Sequence, residues 1–187
     1  MKPIITKEDI ERKEKRNKIV IGIILILLMG LSTAGYAFYD NAGRTSPKVV
    51  YNNIKFVLND DGYWHFTIQG KEFLTRYNAQ ETQNISASLT KTLSDYSGKP
   101  LYFDANSDRS FSSEIVMTLQ DYASRIQYAC LGNCEGDFPI KNCSTDNVII
   151  ITSKNQSKIW QNQNCVYIEG EGLKEADAFL FKLLGVK

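Results

Sequence analysis

Alternating oxygen-bearing side chains in the segment FDANSDRS form the best candidate for a ligand site. Asp104, Asn106 and Asp108 recur at every second position, as the first oxygen ligands of a calcium loop do. That loop also needs a glycine and a bidentate glutamate, and the chain has Arg109 and Ile115 at those positions. The pattern therefore indicates a ligand or calcium site that lacks two required features.

A second interpretation of the same segment is structural. Asn106, Ser107, Asp108 and Ser110 are residue types that supply turn and N-cap oxygens, and a predicted helix follows them. We favour this interpretation over calcium binding because it accounts for all four residues. The junction of a strand with a helix is also where α/β sheets place ligands, so it is the site of any hydrolase chemistry that uses Asp104 and Asp108.

Few other residues offer chemistry. His65 is the single histidine, and no serine-nucleophile motif, phosphate loop or dinucleotide fingerprint accompanies it. We interpret His65 as a surface residue on the polar face of a strand. The sequence predicts no catalytic residue, no metal and no cofactor.

All four cysteines lie in the C-terminal half of the chain. An even number favours two disulfides in an oxidising compartment. We predict the pairs Cys130 with Cys134, which bracket a Leu-Gly-Asn turn, and Cys143 with Cys165, which flank two apparent strands. A four-thiolate zinc site is the alternative, although the spacings lack CxxC pairs, and the same lack argues against redox catalysis.

Residues 19–39, which begin at Ile19 and end at Tyr39, contain no charged side chain over 21 positions. A helix of that length spans about 30 Å, the thickness of a bilayer's hydrocarbon. Basic residues precede the segment in excess, so we expect the N-terminus to be cytoplasmic and the remainder extracytoplasmic. A cleaved signal peptide is the alternative, because Gly35 and Ala37 satisfy a small-x-small rule.

Charge and composition divide the chain further. Residues 1–18 carry seven Lys or Arg and four Asp or Glu, whereas the remainder has 15 basic and 17 acidic residues. The basic stretch 1–18 is expected to be a cytoplasmic tail, and residues 40–48 a polar linker. Residues 49–187 have the size of one domain. Because no concentrated basic field occurs in them, we expect no nucleic-acid partner.

Hydrophobic periodicity predicts an α+β fold in the order βββαβαββα, with one mixed sheet packed by helices. Trp64, Phe66 and Ile68 alternate in the second strand and are expected to face the core. The predicted strands cover residues 49–59, 63–70, 71–78, 99–104, 147–153 and 165–170, and the predicted helices cover 81–96, 111–126 and 173–186.

Three Asn-x-Ser triplets begin at Asn84, Asn142 and Asn155. They are candidate glycosylation sites if the domain lies outside the cytosol. Asn155 has the most loop-like setting.

The chain resembles uncharacterised single-pass membrane proteins of small-genome archaea. The features that carry the resemblance are a lysine-rich tail, one apolar segment, the motifs YNNIKF and GYW, a PI-x-x-C segment followed by NVIII, and a closing N-C-V-x-I-x-G. The resemblance implies an envelope-facing domain with disulfides and brings no known activity.

Together these patterns predict a membrane-anchored, extracytoplasmic binding domain without catalysis. Its expected partners are the lipid bilayer, through residues 19–39, and an envelope protein or ligand. A membrane-anchored hydrolase with its site near Asp104 and Asp108 is the alternative.

Overall fold

The computed structural model describes residues 7–41, 46–109 and 111–187 of the chain. Within the first of these ranges, it describes the side chains of residues 11–32. The chain divides into two compact units, Met1–Thr45 and Ser46–Lys187, and each is described by itself.

The first unit contains one helix, α1 (Lys7–Asn41). Leu and Met favour helical backbone, and here they combine with Ile in a run that is apolar on every face. The large apolar side chains between Ile19 and Leu31 are 48 to 73% exposed. Among the described residues, none of the helices combines the length and the apolar character needed to cross a membrane. The side chains of residues 33–39, Gly35 and Ala37 included, and residues 42–45 of the predicted linker lie outside the description.

The second unit begins with an antiparallel meander of four strands in the order β1-β2-β3-β4. Asn52 and Asn53 both have positive φ, so they reverse the chain in two residues and divide the predicted strand 49–59 in two. Trp64 and Phe66 are buried on the inner face, as the alternation predicts, and Ile68 packs partly buried against the same cluster. Phe56 of β2 is buried on this face as well. The strands are β1 (Lys48–Tyr51), β2 (Ile54–Leu58), β3 (Trp64–Ile68) and β4 (Lys71–Thr75).

A second sheet has six strands in the order β5-β9-β10-β8-β6-β7. All neighbouring strands in it are parallel except β9 and β10, which form an antiparallel hairpin. The strands are β5 (Ser86–Ser88), β6 (Pro100–Asp104), β7 (Arg125–Ala129), β8 (Asn147–Ser153), β9 (Lys158–Asn162) and β10 (Cys165–Gly170). The helices are α2 (Ser112–Leu119) and α3 (Leu173–Leu183), and Leu93–Asp95 forms a 3₁₀ turn.

Both faces of this sheet are covered in part. Leu101, Phe103 and Ile149 point to one face, where they pack with apolar residues of α2 and α3. Tyr102 and Val148 point to the other face, where they pack with residues of the segment between β7 and β8. Alternation along the strands therefore produces two hydrophobic layers from one sheet.

The α+β class is confirmed, and two sheets replace the single predicted sheet. The predicted helix 81–96 is wrong, because residues 86–88 pair with β9 and only a short 3₁₀ turn follows. The predicted helix 111–126 ends at Leu119, and the chain then enters β7 at Arg125. Strands β5, β7 and β9 were not predicted as strands. The other predicted strands and the C-terminal helix are confirmed.

Candidate functional site

The chain changes direction across the sheet at the carboxyl end of β6. Strand β7 lies on one side of β6, and β8, the next strand in sequence, lies on the other side. The connection after β6 leads to α2 on one face, whereas residues after β7, such as Leu131, pack on the opposite face. Two loops that leave adjacent parallel strands toward opposite faces open a crevice between them, and ligands commonly bind in such a crevice.

A pocket of about 610 Å³ lies at this point. One wall follows β6 and the other follows β7, so each loop contributes side chains to the same opening. The lining residues are Ala105, Asn106 and Arg109 from the first loop, and Asn133, Cys134, Glu135 and Phe138 from the second. We call this opening the switch-point pocket.

Hydrogen bonds from one side chain connect the two walls of the switch-point pocket. The Nδ2 atom of Asn106 lies 3.5 Å from the carbonyl oxygen of Asn133 and 3.6 Å from the Sγ of Cys134. Arg109 lies over the ring of Tyr128, with its guanidinium carbon 4.4 Å from the ring centroid. The pocket thus presents a cation held on an aromatic ring, a carboxylate on Glu135, amide groups and the Phe138 ring, which is a lining suited to a polar chain.

The predicted calcium ligands separate in the structure. Asn106 lines the pocket, Asp108 accepts a hydrogen bond from the Ser153 hydroxyl, and Asp104 is buried at 8% exposure. Oδ1 of Asp104 has no hydrogen-bond partner within the described residues. The described part of the chain also holds no cluster of three or more His, Cys, Asp or Glu side chains arranged for a metal ion.

The loop after β6 is fixed to β8, and the Ser112 hydroxyl at the start of α2 also donates to the Arg109 carbonyl at 3.0 Å. The Ile151 amide donates to Oγ of Ser107 at 2.9 Å, and the Asp108 amide donates to the Ile151 carbonyl at 3.0 Å. The N-cap residue of α2 is Phe111, which differs from the predicted capping by the preceding polar residues. Ser110 lies outside the described residues.

His65 has partners that the sequence did not reveal. Its Nε2 lies 2.8 Å from Oδ2 of Asp61, and its Nδ1 lies 2.9 Å from Oε1 of Glu72. Burial lowers the pKa of His65, but the hydrogen bonds to Glu72 and Asp61 outweigh it, so the pKa lies above its ordinary 6.5. Both ring nitrogens are occupied by carboxylates, so this arrangement leaves neither nitrogen to take a proton from a substrate.

Residues around this histidine also line an opening of about 420 Å³, to which Asn53, Lys55 and Asn59 contribute. Glu72 lies on β4, diagonal to His65, whose direct neighbour on that strand is Leu74. The sequence could have revealed this pairing, because the predicted hairpin of β3 and β4 places Glu72 diagonally opposite His65.

The two predicted disulfides are confirmed. Cys130 bonds to Cys134, and Cys143 bonds to Cys165. No cysteine remains free among the described residues, so the four-thiolate zinc alternative is not supported. The first disulfide closes the loop that forms one wall of the switch-point pocket.

The three candidate glycosylation residues, Asn84, Asn142 and Asn155, are all exposed. Asn142 is held in a turn, because its Oδ1 accepts hydrogen bonds from the amides of Ser144 and Thr145. Glycosylation stays a prediction at each of them.

Comparison with known proteins gives no match: no protein-family model, no curated protein and no solved structure is significantly similar to this chain.

Proposed function

We propose that this protein is a membrane-anchored, extracytoplasmic binding domain, stabilised by disulfides and without catalysis. Its ligand site is the switch-point pocket, and its partner is a polypeptide of the cell envelope. The observation that carries the proposal is the pocket itself, which two loops from adjacent parallel strands build at the position where such sheets bind ligands.

Residues 19–39 support a membrane anchor. This segment has no charge, and its described large apolar side chains are exposed on every side of α1. Each square ångström of apolar surface left in water costs about 25 cal/mol, so the segment is more stable in lipid. The net positive charge of residues 1–18 favours a cytoplasmic N-terminus.

The disulfides support the extracytoplasmic placement. All four cysteines are paired and all of them follow the apolar segment. Disulfides persist in oxidising compartments and are rare in the cytosol. A domain placed outside the membrane by residues 19–39 would meet that condition.

A polypeptide is the ligand that best fits the lining of the pocket. Arg109 and Glu135 place opposite charges in one opening, and such a pair suits a partner that also carries both signs. Asn106 and Asn133 offer amide groups for a backbone, and Phe138 offers an apolar surface. The pocket is open to solvent rather than enclosed, as a chain passing through it would require.

The hydrolase alternative gains no support from this geometry. It requires Asp104, Asp108 and a third acid to converge in one pocket. Glu135 lines the switch-point pocket, but Asp104 is buried beside it and Asp108 is bonded to Ser153.

Photo-crosslinking in native membranes tests the binding site. A photoreactive residue at Phe138 should capture a defined envelope polypeptide, and the variant Arg109→Ala should reduce the yield. The matched control places the same group at Gln156, which is exposed in the turn between β8 and β9. Equal adducts from both positions, or no effect of Arg109→Ala, would contradict the proposed site.

Membrane anchoring is tested by alkaline extraction and protease access. The full chain should stay with the membrane pellet, whereas residues 46–187 alone should be found in the supernatant. Protease added to intact cells should digest the C-terminal region. Protection in intact cells together with digestion after lysis would reverse the proposed topology.

A further inference from the structure

The two sulfurs of the first disulfide have different surroundings. Cys134 lines the switch-point pocket and is half-buried, whereas Cys130 is only 5% exposed at the end of β7. An incoming nucleophile in the pocket therefore meets Cys134 first. Accessibility decides which sulfur of a disulfide is attacked.

Hydrogen-bonding groups around the two sulfurs also differ. The Nδ2 of Asn106, a donor, lies 3.6 Å from the Sγ of Cys134. The carbonyl oxygen of Gly132, an acceptor, lies 2.9 Å from the Sγ of Cys130. A donor stabilises a sulfur that carries negative charge, and an acceptor suits a protonated thiol.

Cys130 is held in place independently of its disulfide. Its amide donates to the Pro139 carbonyl at 3.0 Å, and its carbonyl accepts from the Lys141 amide at 2.8 Å. The bond to Cys134 can therefore open without separating β7 from the segment that returns beside it.

The second disulfide lacks this arrangement. Cys165 is fully buried, and Cys143 packs against the hydrophobic cluster of Tyr102 and Val148. Its closed loop is also longer, with a sequence separation of 22 residues compared with 4 for the first disulfide. Longer loops restrict the unfolded chain more, so the second disulfide has the greater structural role.

We propose that the Cys130–Cys134 disulfide is a thiol-exchange site, at which cysteine thiols of a polypeptide in the switch-point pocket attack Cys134. This activity goes beyond the proposed binding function. It rests on the proposed function for the polypeptide that brings the thiols to the pocket, whereas the exchange itself depends on the accessible sulfur of Cys134 and the Asn106 donor.

The exchange proceeds in two balanced steps. A thiolate of the incoming polypeptide forms a bond to Sγ of Cys134 while the Cys130–Cys134 bond breaks, and the electron pair stays on Cys130, which takes a proton from water. A second thiolate of the polypeptide then attacks its own sulfur in the mixed disulfide and releases Cys134. Two thiols become one disulfide, and the cysteine pair gains two electrons and two protons.

Glutathione, a cysteine-containing tripeptide, serves as the probe for the full chain in detergent micelles. In a series of reduced and oxidised glutathione buffers, alkylation followed by peptide mass analysis reports the state of each cysteine. We expect Cys130 and Cys134 to become reduced under conditions that leave Cys143 and Cys165 paired. Reduction of both disulfides together would overturn the proposal.

Single-cysteine variants identify the attacked sulfur. Cys130→Ser leaves Cys134 in the pocket and should accumulate a glutathione adduct from oxidised glutathione, whereas Cys134→Ser leaves only the buried Cys130 and should form little. Unfolding curves of both variants show whether the fold persists. Equal adduct formation by two folded variants would contradict the role of Cys134.

The rate of glutathione adduct formation at Cys134 tests the role of Asn106. In the Cys130→Ser background, Asn106→Ala should slow adduct formation at Cys134 by about three- to tenfold, the size expected for one hydrogen bond to a charged group. Asn155→Ala, which changes an exposed turn, is the matched control. An unchanged rate in Asn106→Ala would show that this donor does not assist, and adducts at Cys134 no faster than in the unfolded chain would reject the site. The crosslinking at Phe138 tests whether a polypeptide binds in the pocket, and the glutathione assays test whether Cys134 exchanges thiols. A negative result in one experiment therefore does not change the outcome of the other.

Discussion

Oε1 of Glu72 lies 2.9 Å from Nδ1 of His65, on the outer face of the antiparallel sheet. Asp61 occupies the other ring nitrogen, so the imidazole joins the turn before β3 to strand β4. The imidazolium form can donate at both nitrogens, and deprotonation removes one of these hydrogen bonds. Protonation of His65 therefore contributes to the stability of the meander.

His65→Gln should destabilise the protein more at pH 5.5 than at pH 8.5. The pKa of His65 is raised above 6.5, so its contribution is fully present below 6.5 and is lost as the pH rises through the folded-state value. Urea unfolding of both proteins at the two pH values measures the difference. Thr67→Gln, on the same face of β3, is the control, and an equal effect of His65→Gln at both pH values would contradict the prediction.

Asp177→Asn should make stability less dependent on pH. Burial and the neighbouring Glu114 raise the pKa of Asp177 above its ordinary 3.8, so its favourable effect is present below 3.8 and is lost as the pH rises. One such proton changes the free energy of unfolding by at most about 1.4 kcal/mol per pH unit. An asparagine keeps an oxygen for the Tyr77 amide, which donates to Asp177 at 2.8 Å. Unfolding between pH 5 and pH 8 tests this, and an unchanged slope in the variant would show that Asp177 does not bind the extra proton.

The order of apolar residues along the chain correctly predicted the elements whose burial depends mainly on their own sequence. NVIII and CVYIEG are continuous or alternating apolar strands, and both were predicted correctly because burial dictates their composition. The stripe from Leu173 to Leu183 likewise faces the core as predicted. The disulfide pairs follow from turns and strands of the same kind.

Partners distant in sequence decided the elements that were predicted wrongly. Ser86–Ser88 is a strand because β9 lies beside it, more than 70 residues later, and helical spacing of Ile85 and Leu89 could not reveal that. Ile126 continues the helical spacing of α2 but belongs to strand β7, from which its side chain packs against the same hydrophobic core. The pocket was only partly predictable, because Asn106 was a candidate whereas Glu135 and Phe138 reach it through the fold.

Gly170→Ala should destabilise the domain by about 1–3 kcal/mol. Gly170 has a φ of 158°, and a Cβ there would overlap the side chain of Glu175. Glu175 is 5% exposed and accepts hydrogen bonds from the Gly172 amide at 3.1 Å and from Ser157 Oγ at 2.5 Å, so it has little freedom to move. Gly172→Ala is the matched control because nothing lies within 4 Å of its Cβ position. Similar melting temperatures for the two variants would contradict this account.

Lys91→Met should destabilise the protein by about 1–3 kcal/mol, because two amide oxygens lose their donor. Nζ of Lys91 donates to Oδ1 of Asn147 at 2.6 Å and to Oδ1 of Asn164 at 3.2 Å, and the lysine is only 7% exposed. Burial lowers the pKa of Lys91 below its ordinary 10.5. The stabilising contribution of Lys91 to the fold is therefore fully present above pH 10.5, and it is lost as the pH falls through the pKa of Lys91 in the folded protein.

The stability difference between the original protein and Lys91→Met should therefore grow as the pH rises from 7 to 10. A neutral amine still donates to both amides, and it no longer carries the cost of a buried charge. Denaturant unfolding of both proteins across this range measures the difference, with Lys158→Met, an exposed lysine on β9, as the control. A difference that shrinks with pH would mean that the charged form of Lys91 is the one the fold stabilises.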